Sequence, residues 1–154
     1  MPKRLKDFPY ASSAAAADQR TEFLLWRAHH LARQAFDVEL RTLQIDTRHF
    51  EVLSALAACE ALNRTQIANC LDLERSAIPG LVRHLERMGF IQRRPDPFDI
   101  RAIAVEITPQ GRKCLKDAQK IAVQIGGKIF SGLSESEREQ LDRNLLHIIS
   151  NYQN

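Results

Sequence analysis

The chain has 154 residues, 44% hydrophobic and 27% charged, enough for one domain with a real core and ordinary for a globular protein. Six glycines and six prolines are too few for a turn-rich all-β chain, and no apolar run approaches a membrane span. The 22 Lys and Arg against 19 Asp and Glu leave a charge of +3, which permits a polyanionic partner without requiring one and doubles if the chain dimerises. The first 19 residues begin basic and carry an Ala cluster broken by Ser and followed by Asp18. They lack the apolar core of a signal peptide and read as a flexible arm on a cytoplasmic protein.

A helix is expected from Arg20 to about Leu43. Phe23, Leu24, Ala28, Leu31, Ala35 and Val38 form one stripe, and Leu25, Trp26, Ala32 and Phe36 add apolar surface elsewhere. A helix apolar on more than one side sits between other elements or between subunits. A second helix starts at Asp46 or Thr47 as N-cap, with Phe50, Leu53 and Leu56 inward. A third, short helix has Asn63 as N-cap and Gln66 three residues on, a capping-box arrangement. The turn Asp72–Glu74 leads into "LERSAIPGLVRHLERMGF", where Ile78, Leu81, Val82, Leu85 and Met88 recur at helical spacing and Gly89 caps the end. "FIQRR" and "IAVEI" alternate as two strands around the exposed loop "PDPFDIRA". Thr108 and Pro109 open a long helix carrying Cys114, Leu115, Ala118, Ala122, Ile125 and Ile129, with Gly126-Gly127 marking close packing or a bend. "SESE" at Ser134–Glu137 is a capping box for a last helix, with Leu141, Leu145, Ile148, Ile149 and Tyr152 on one side.

The order predicts a mainly α fold with a small β-hairpin, a winged helix-turn-helix plus a helical region. Such a fold places a helix in the DNA major groove. On a wheel of about 100° per residue, Ser76, Pro79, Gly80, Arg83 and Arg87 fall opposite the apolar face. If the helix starts near Ser76, Pro79 lies in its first turn and loses no bond. If it starts near Glu74, the proline sacrifices one. Gly80 removes a side chain where a helix end would approach DNA, and the alternative is an irregular first turn on a solvated helix. Arg75 and His84 complete the candidate recognition set, and Arg64, Thr65 and Gln66 open the preceding helix. In the wing, Asp99 and Arg101 are two apart and can point to one side, the carboxylate holding the arginine for insertion into a minor groove. Arg93 and Arg94 at the base could pair with Asp99 or reach phosphates.

The run from Thr65 to Leu115 resembles the MarR (multiple antibiotic resistance regulator) family of bacterial transcription factors. "HLERMGFIQRRPDPFDIRA" followed by "ITPQGR" is its most specific part, and "LSESEREQL" is similar to the opening of that family's final helix. The resemblance runs from about Arg20 to the C-terminus. It implies a homodimer held by residues 20–45 and 109–154, with residues 46–108 as the DNA-binding domain on a palindromic operator, most often as a repressor. It implies that Arg101 is the minor-groove arginine oriented by Asp99. Two features depart from the family pattern: polar residues usually stand where Pro79 and Gly80 do, and the first helix lacks the cysteine of peroxide-sensing members.

The family often binds small aromatic or phenolic effectors between the dimerisation helices and the winged domain. Trp26, His30 and Arg33 on the first helix and Arg48 and His49 on the second are the candidates here, Arg for a carboxylate and Trp for a ring. The alternative is that they are ordinary interface and surface residues. Cys59, Cys70 and Cys114 have no zinc or redox spacing and read as buried reduced thiols. The five histidines contain no i,i+4 pair, and no nucleophile motif or phosphate loop stands out, so neither catalysis, metal nor cofactor is expected. The rival readings are a winged-helix module for protein contacts and a thiol-based redox-sensing regulator.

Overall fold

A computed structural model describes residues 17–96 and 103–153. The first helix, α1, spans Ala17–Leu40 and closes in a 3-10 turn at Arg41–Leu43. It is followed by α2 (Thr47–Ala58), β1 (Leu62–Asn63), α3 (Arg64–Cys70), α4 (Ile78–Arg87), β2 (Ile91–Pro95), β3 (Ile103–Ile107), α5 (Pro109–Ile129) and α6 (Glu135–Gln153). The mainly helical winged helix-turn-helix is therefore present. The expected two-stranded hairpin is in fact the larger part of a three-stranded antiparallel sheet in the order β1-β3-β2. Leu62 pairs with Val105, and Ile91 through Pro95 pair with Ile107 through Ile103.

Side chains stop and start the helices as the sequence suggests. Asp46, not Thr47, caps α2: its carboxylate accepts from the His49 N–H, and the His49 ring turns back onto the same carboxylate at 2.6 Å. Asn63 and Gln66 exchange side-chain and backbone bonds across the first turn of α3 (3.0 and 2.8 Å). The Thr108 hydroxyl accepts from the Gly111 N–H at 3.0 Å, and Ser134 and Glu137 bond reciprocally ahead of α6. The tight turn between α3 and α4 is made by Asp72 at φ 48, a left-handed position that Asp tolerates.

Leu40, Val52, Leu53, Leu56, Ile67, Ile78 and Leu85 form the centre of the core, where α2, α3 and α4 meet the sheet and the start of α5. Phe50 is only partly buried, edge-on to Phe36 of α1 at 5.2 Å. Gly111 is needed for packing, because a β-carbon there would run into the Phe90 backbone and stand 2.9 Å from the Ile107 side chain.

Within the chain the first-helix stripe is largely uncovered: Leu24, Leu31 and Val38 are exposed, while Phe36 and Leu40 of α1 turn inward. Two expectations need correcting. Cys59 and Cys70 are exposed, since each ends a helix where the chain turns outward; Cys114 alone is buried, and burial pushes its thiol up. Gly126-Gly127 marks no close packing among the described residues, as nothing there lies within 4 Å of either missing side chain, and α5 runs through the pair to Ile129. Beyond the core, Trp26, Val123, Leu146, Ile148 and Ile149 leave a broad apolar surface on α1, α5 and α6 uncovered. None of the described helices is long and apolar enough to cross a membrane.

Candidate nucleic-acid interface

The recognition candidate α4 starts at Ile78, so Pro79 falls in the first turn, where its missing N–H costs no helix bond. Ile78, Leu81, Val82 and Leu85 are buried against the core. Arg75, Ser76, Gly80, Arg83 and Arg87 are exposed, and Pro79 is half-buried. Apart from the adjoining backbone of its own helix, nothing among the described residues stands within 4 Å of where a Gly80 side chain would begin. Packing within the chain therefore gives no reason for a glycine there. His84 does not point out with the arginines. Its Nε2 lies 2.7 Å from the Gln44 carbonyl at the corner between α1 and α2, and its Nδ1 lies 3.2 Å from an Arg87 guanidinium nitrogen.

At the start of α3, Arg64 and Thr65 are exposed, while Gln66 has its carbonyl oxygen committed to the capping box. These residues, Val82 of α4, and Arg93 and Ile103 of the wing strands line a cavity of about 660 Å³ between helix-turn-helix and wing.

The wing-base arginines are already engaged. Arg93 makes a two-pronged pair with Glu86 of α4 (2.7 and 2.9 Å). Arg94 reaches Glu106 at 3.0 Å and Glu60 at 3.2 Å. Each guanidinium is held above its ordinary value by the carboxylates it bonds, and Glu86 is held below its own by Arg93. The expected partner Asp99 and the wing arginine Arg101 lie outside the described residues. Spacing did not single out Asp96, which is buried at the wing base and accepts from the Asn63 side-chain amide at 2.9 Å. One residue thus caps α3 and ties down the start of the wing.

The effector candidates divide. His30, Arg33 and Arg48 line one cavity of about 490 Å³ together with Gln34, Asp37 and Asp46. Trp26 stacks on His30, with ring centroids 5.4 Å apart and planes 10° off parallel. His49 is not in the lining but bonds the lining residue Asp46 at 2.6 Å. That bond is the chief reason the Asp46 carboxyl is lowered from 3.8 to about 2. Asp37, unremarked in the sequence, accepts from the Thr47 N–H and hydroxyl (2.7 and 2.6 Å) and so anchors α1 to the start of α2. Arg33 also borders a smaller apolar cavity, about 230 Å³, between α1 and α5, lined by Phe36, Ala122 and Ile125 among others. Among the described residues no group of three His, Cys, Asp or Glu is placed to hold a metal ion.

Comparison with known proteins agrees with this geometry. Residues 45–103, from the α1–α2 corner to the second wing strand, match the sequence model of the MarR family. The chain is 27% identical over 135 residues to the HTH-type transcriptional regulator PecS of Dickeya dadantii, covering 82% of this chain and 81% of that one. It is 24% identical to the HTH-type transcriptional repressor IacR of Pseudomonas putida, over 96% of this chain and 81% of the relative. The S. aureus MepR–DNA complex superposes with a TM-score of 0.73 at 28% identity, over 84% of this chain and 96% of that one. Residues 45–103 thus carry a MarR-family domain, and the fold and the relatives mark the chain as a DNA-binding transcriptional regulator.

Proposed function

We propose that this chain acts in the cytoplasm as a homodimeric repressor on a palindromic operator and is released by a small aromatic carboxylate or phenol. The observation that carries the DNA contact is the outer side of α4. There, Arg75, Arg83 and Arg87 are exposed, as is a Gly80 that nothing among the described residues crowds. The wing pair Asp99 and Arg101 would add the minor-groove contact. The uncovered apolar surface of α1, α5 and α6 supports a dimer region outside residues 46–108. Large exposed apolar patches on a monomer mark interfaces, and a second copy of the same surface is the simplest cover. The cavity with Arg33, Arg48 and His30 supports the effector, since guanidinium groups suit a carboxylate. The repressor sense is in keeping with the relative IacR, which is named a repressor.

The test is duplex binding across a salt series. A DNA regulator of this kind shows a steep fall of affinity with salt, and Arg83→Ala reduces that slope by about 1. A protein-interaction module would show no such slope. Sedimentation at micromolar protein reads the dimer directly; a monomer there, or a dimer that survives truncation after Gly132, would refute the dimer region.

A further inference from the structure

We propose that the His49–His84 ring pair links the cavity beside α1 to the DNA-facing side of α4, with neutral His84 as the positioning residue for Arg87. The inference rests on the reading that α4's outer side meets DNA.

The bonding partners of His84 define its proton. A carbonyl oxygen only accepts, so the nitrogen 2.7 Å from Gln44 carries the hydrogen. A guanidinium only donates, so the nitrogen 3.2 Å from Arg87 carries the lone pair. Both ring nitrogens are thus committed to a single neutral tautomer, and that tautomer gives Arg87 an acceptor. A second proton would take the lone pair away and set a cation against the guanidinium. Arg87 would then be released from its pose, while the net positive charge near the duplex would rise.

The other ring is fixed from the cavity side. The His49 Nδ1 lies 2.6 Å from the Asp46 carboxylate, so it carries the hydrogen of that bond and cannot also accept from the backbone N–H of Asp46, 3.3 Å away. The two imidazoles meet at 4.4 Å between centroids, tilted by 47°. Asp46 lines the cavity, and Gln44, which holds His84, stands two residues before it with a left-handed φ of 59°. One short corner therefore carries the edge of the cavity, the seat of His49 and the acceptor of His84. The charged groups bonded to the pair are Asp46, the N-cap of α2, and Arg87 of α4, and Gln44 offers an uncharged carbonyl. A molecule that displaces Asp46 would shift His49 against His84 and disturb Arg87.

The experiment compares affinity for a selected operator and for random duplex, at about pH 8 and about pH 5.5, the range in which imidazole changes charge. The proteins are the wild type, His84→Gln, Arg87→Ala, Arg83→Ala, Asp46→Asn and the Asp46→Asn/His84→Gln double variant, each first checked by thermal melting at both pH values. The wild-type ratio of operator to random affinity should fall about ten-fold on acidification, the size of one lost base contact. His84→Gln, which has no second proton to take up, should be flat, and so should Arg87→Ala. Asp46→Asn keeps a good N-cap yet loosens His49. It should lower the ratio at about pH 8 in the wild-type background but not when combined with His84→Gln. A flat wild type, an unchanged pH profile in His84→Gln, or additive effects of Asp46→Asn and His84→Gln would overturn the proposal. If Arg87→Ala alone binds as the wild type while Arg83→Ala is weakened, the link to DNA through Arg87 is wrong. If neither outer arginine matters, the DNA reading of α4 fails first and takes the link with it.

Discussion

Gly80 offers the sharpest separation of recognition from folding. It is the third residue of α4 and has nothing within 4 Å of its missing side chain, so Gly80→Ala and Gly80→Leu add atoms to open space. Replacing glycine within a helix by either residue favours the helix by about 0.5–1 kcal/mol. For a chain of this length about 1 kcal/mol moves the melting temperature by about 2–4 °C. Both variants should therefore melt at or slightly above the wild type. On DNA the sign reverses. A leucine side chain on the outer side of α4, between the exposed Ser76 and Arg83, would stand in the groove and push the helix away from the bases. The expected loss of operator affinity is at least ten-fold, about one base contact, with a smaller loss on random duplex. A thermal melt and a binding isotherm on the same preparation decide it. If Gly80→Leu melts several degrees lower and binds operator as the wild type does, the glycine serves packing and the placement of DNA on this side of α4 is wrong.

Gly111 gives the opposite result: Gly111→Ala forces a β-carbon into the Phe90 backbone and should destabilise by about 1–3 kcal/mol or prevent folding, read by chemical denaturation. Arg101→Ala should weaken operator binding by about 1–3 kcal/mol while barely moving the melting temperature, since Arg101 is expected at an exposed wing tip; normal binding would remove the wing from the interface. Asp46 has a carboxyl lowered to about 2 from 3.8 by His49, so its contribution is complete above about pH 4 and is lost as pH falls toward 2. The melting temperatures of wild type and Asp46→Asn should then converge on acidification, and a constant gap would show that the cap bond, not the charge, matters.

The parts of this structure that were legible in the sequence are those decided within a few residues. Asn63 with Gln66, Ser134 with Glu137, and Thr108 ahead of Pro109 announce helix starts because each cap bond spans one turn. For α4 the sequence left two starts open, near Ser76 or near Glu74; the helix begins at Ile78, which puts Pro79 in the first turn as the first alternative had it. What was not legible depends on contacts across the fold. Two residues of β1 carry no periodicity, and their strand character comes only from pairing with Ala104 and Val105. His84 belongs by position to the recognition helix, yet its bond is to Gln44, forty residues earlier. Of the five effector candidates, three converge on one cavity because α1 and α2 cross there, while Trp26 and His49 reach it through His30 and Asp46. Asp37, which joins the two helices, had no neighbouring motif to mark it.

The wing-base arginines raise a question of charge that the pairing with Glu86, Glu60 and Glu106 makes testable. Exposed ion pairs contribute about 0–1 kcal/mol, so Arg93 can leave Glu86 for a phosphate at little cost. The exchange strands a carboxylate on α4 near the polyanion. Glu86 faces outward enough to be one-third exposed, and its pair with Arg93 bridges the recognition helix and the wing. Two like charges about 8 Å apart in water repel by about 0.5 kcal/mol. Glu86→Gln removes that repulsion and leaves the guanidinium available. It should raise affinity two- to three-fold on operator and random duplex alike, as about 0.5 kcal/mol implies, with a steeper salt slope. Base preference should not change, because phosphate contacts carry no sequence information. A weaker complex would mean the reverse: that Glu86 holds Arg93 in the pose DNA requires, and that the pair acts as one fixed element of the interface.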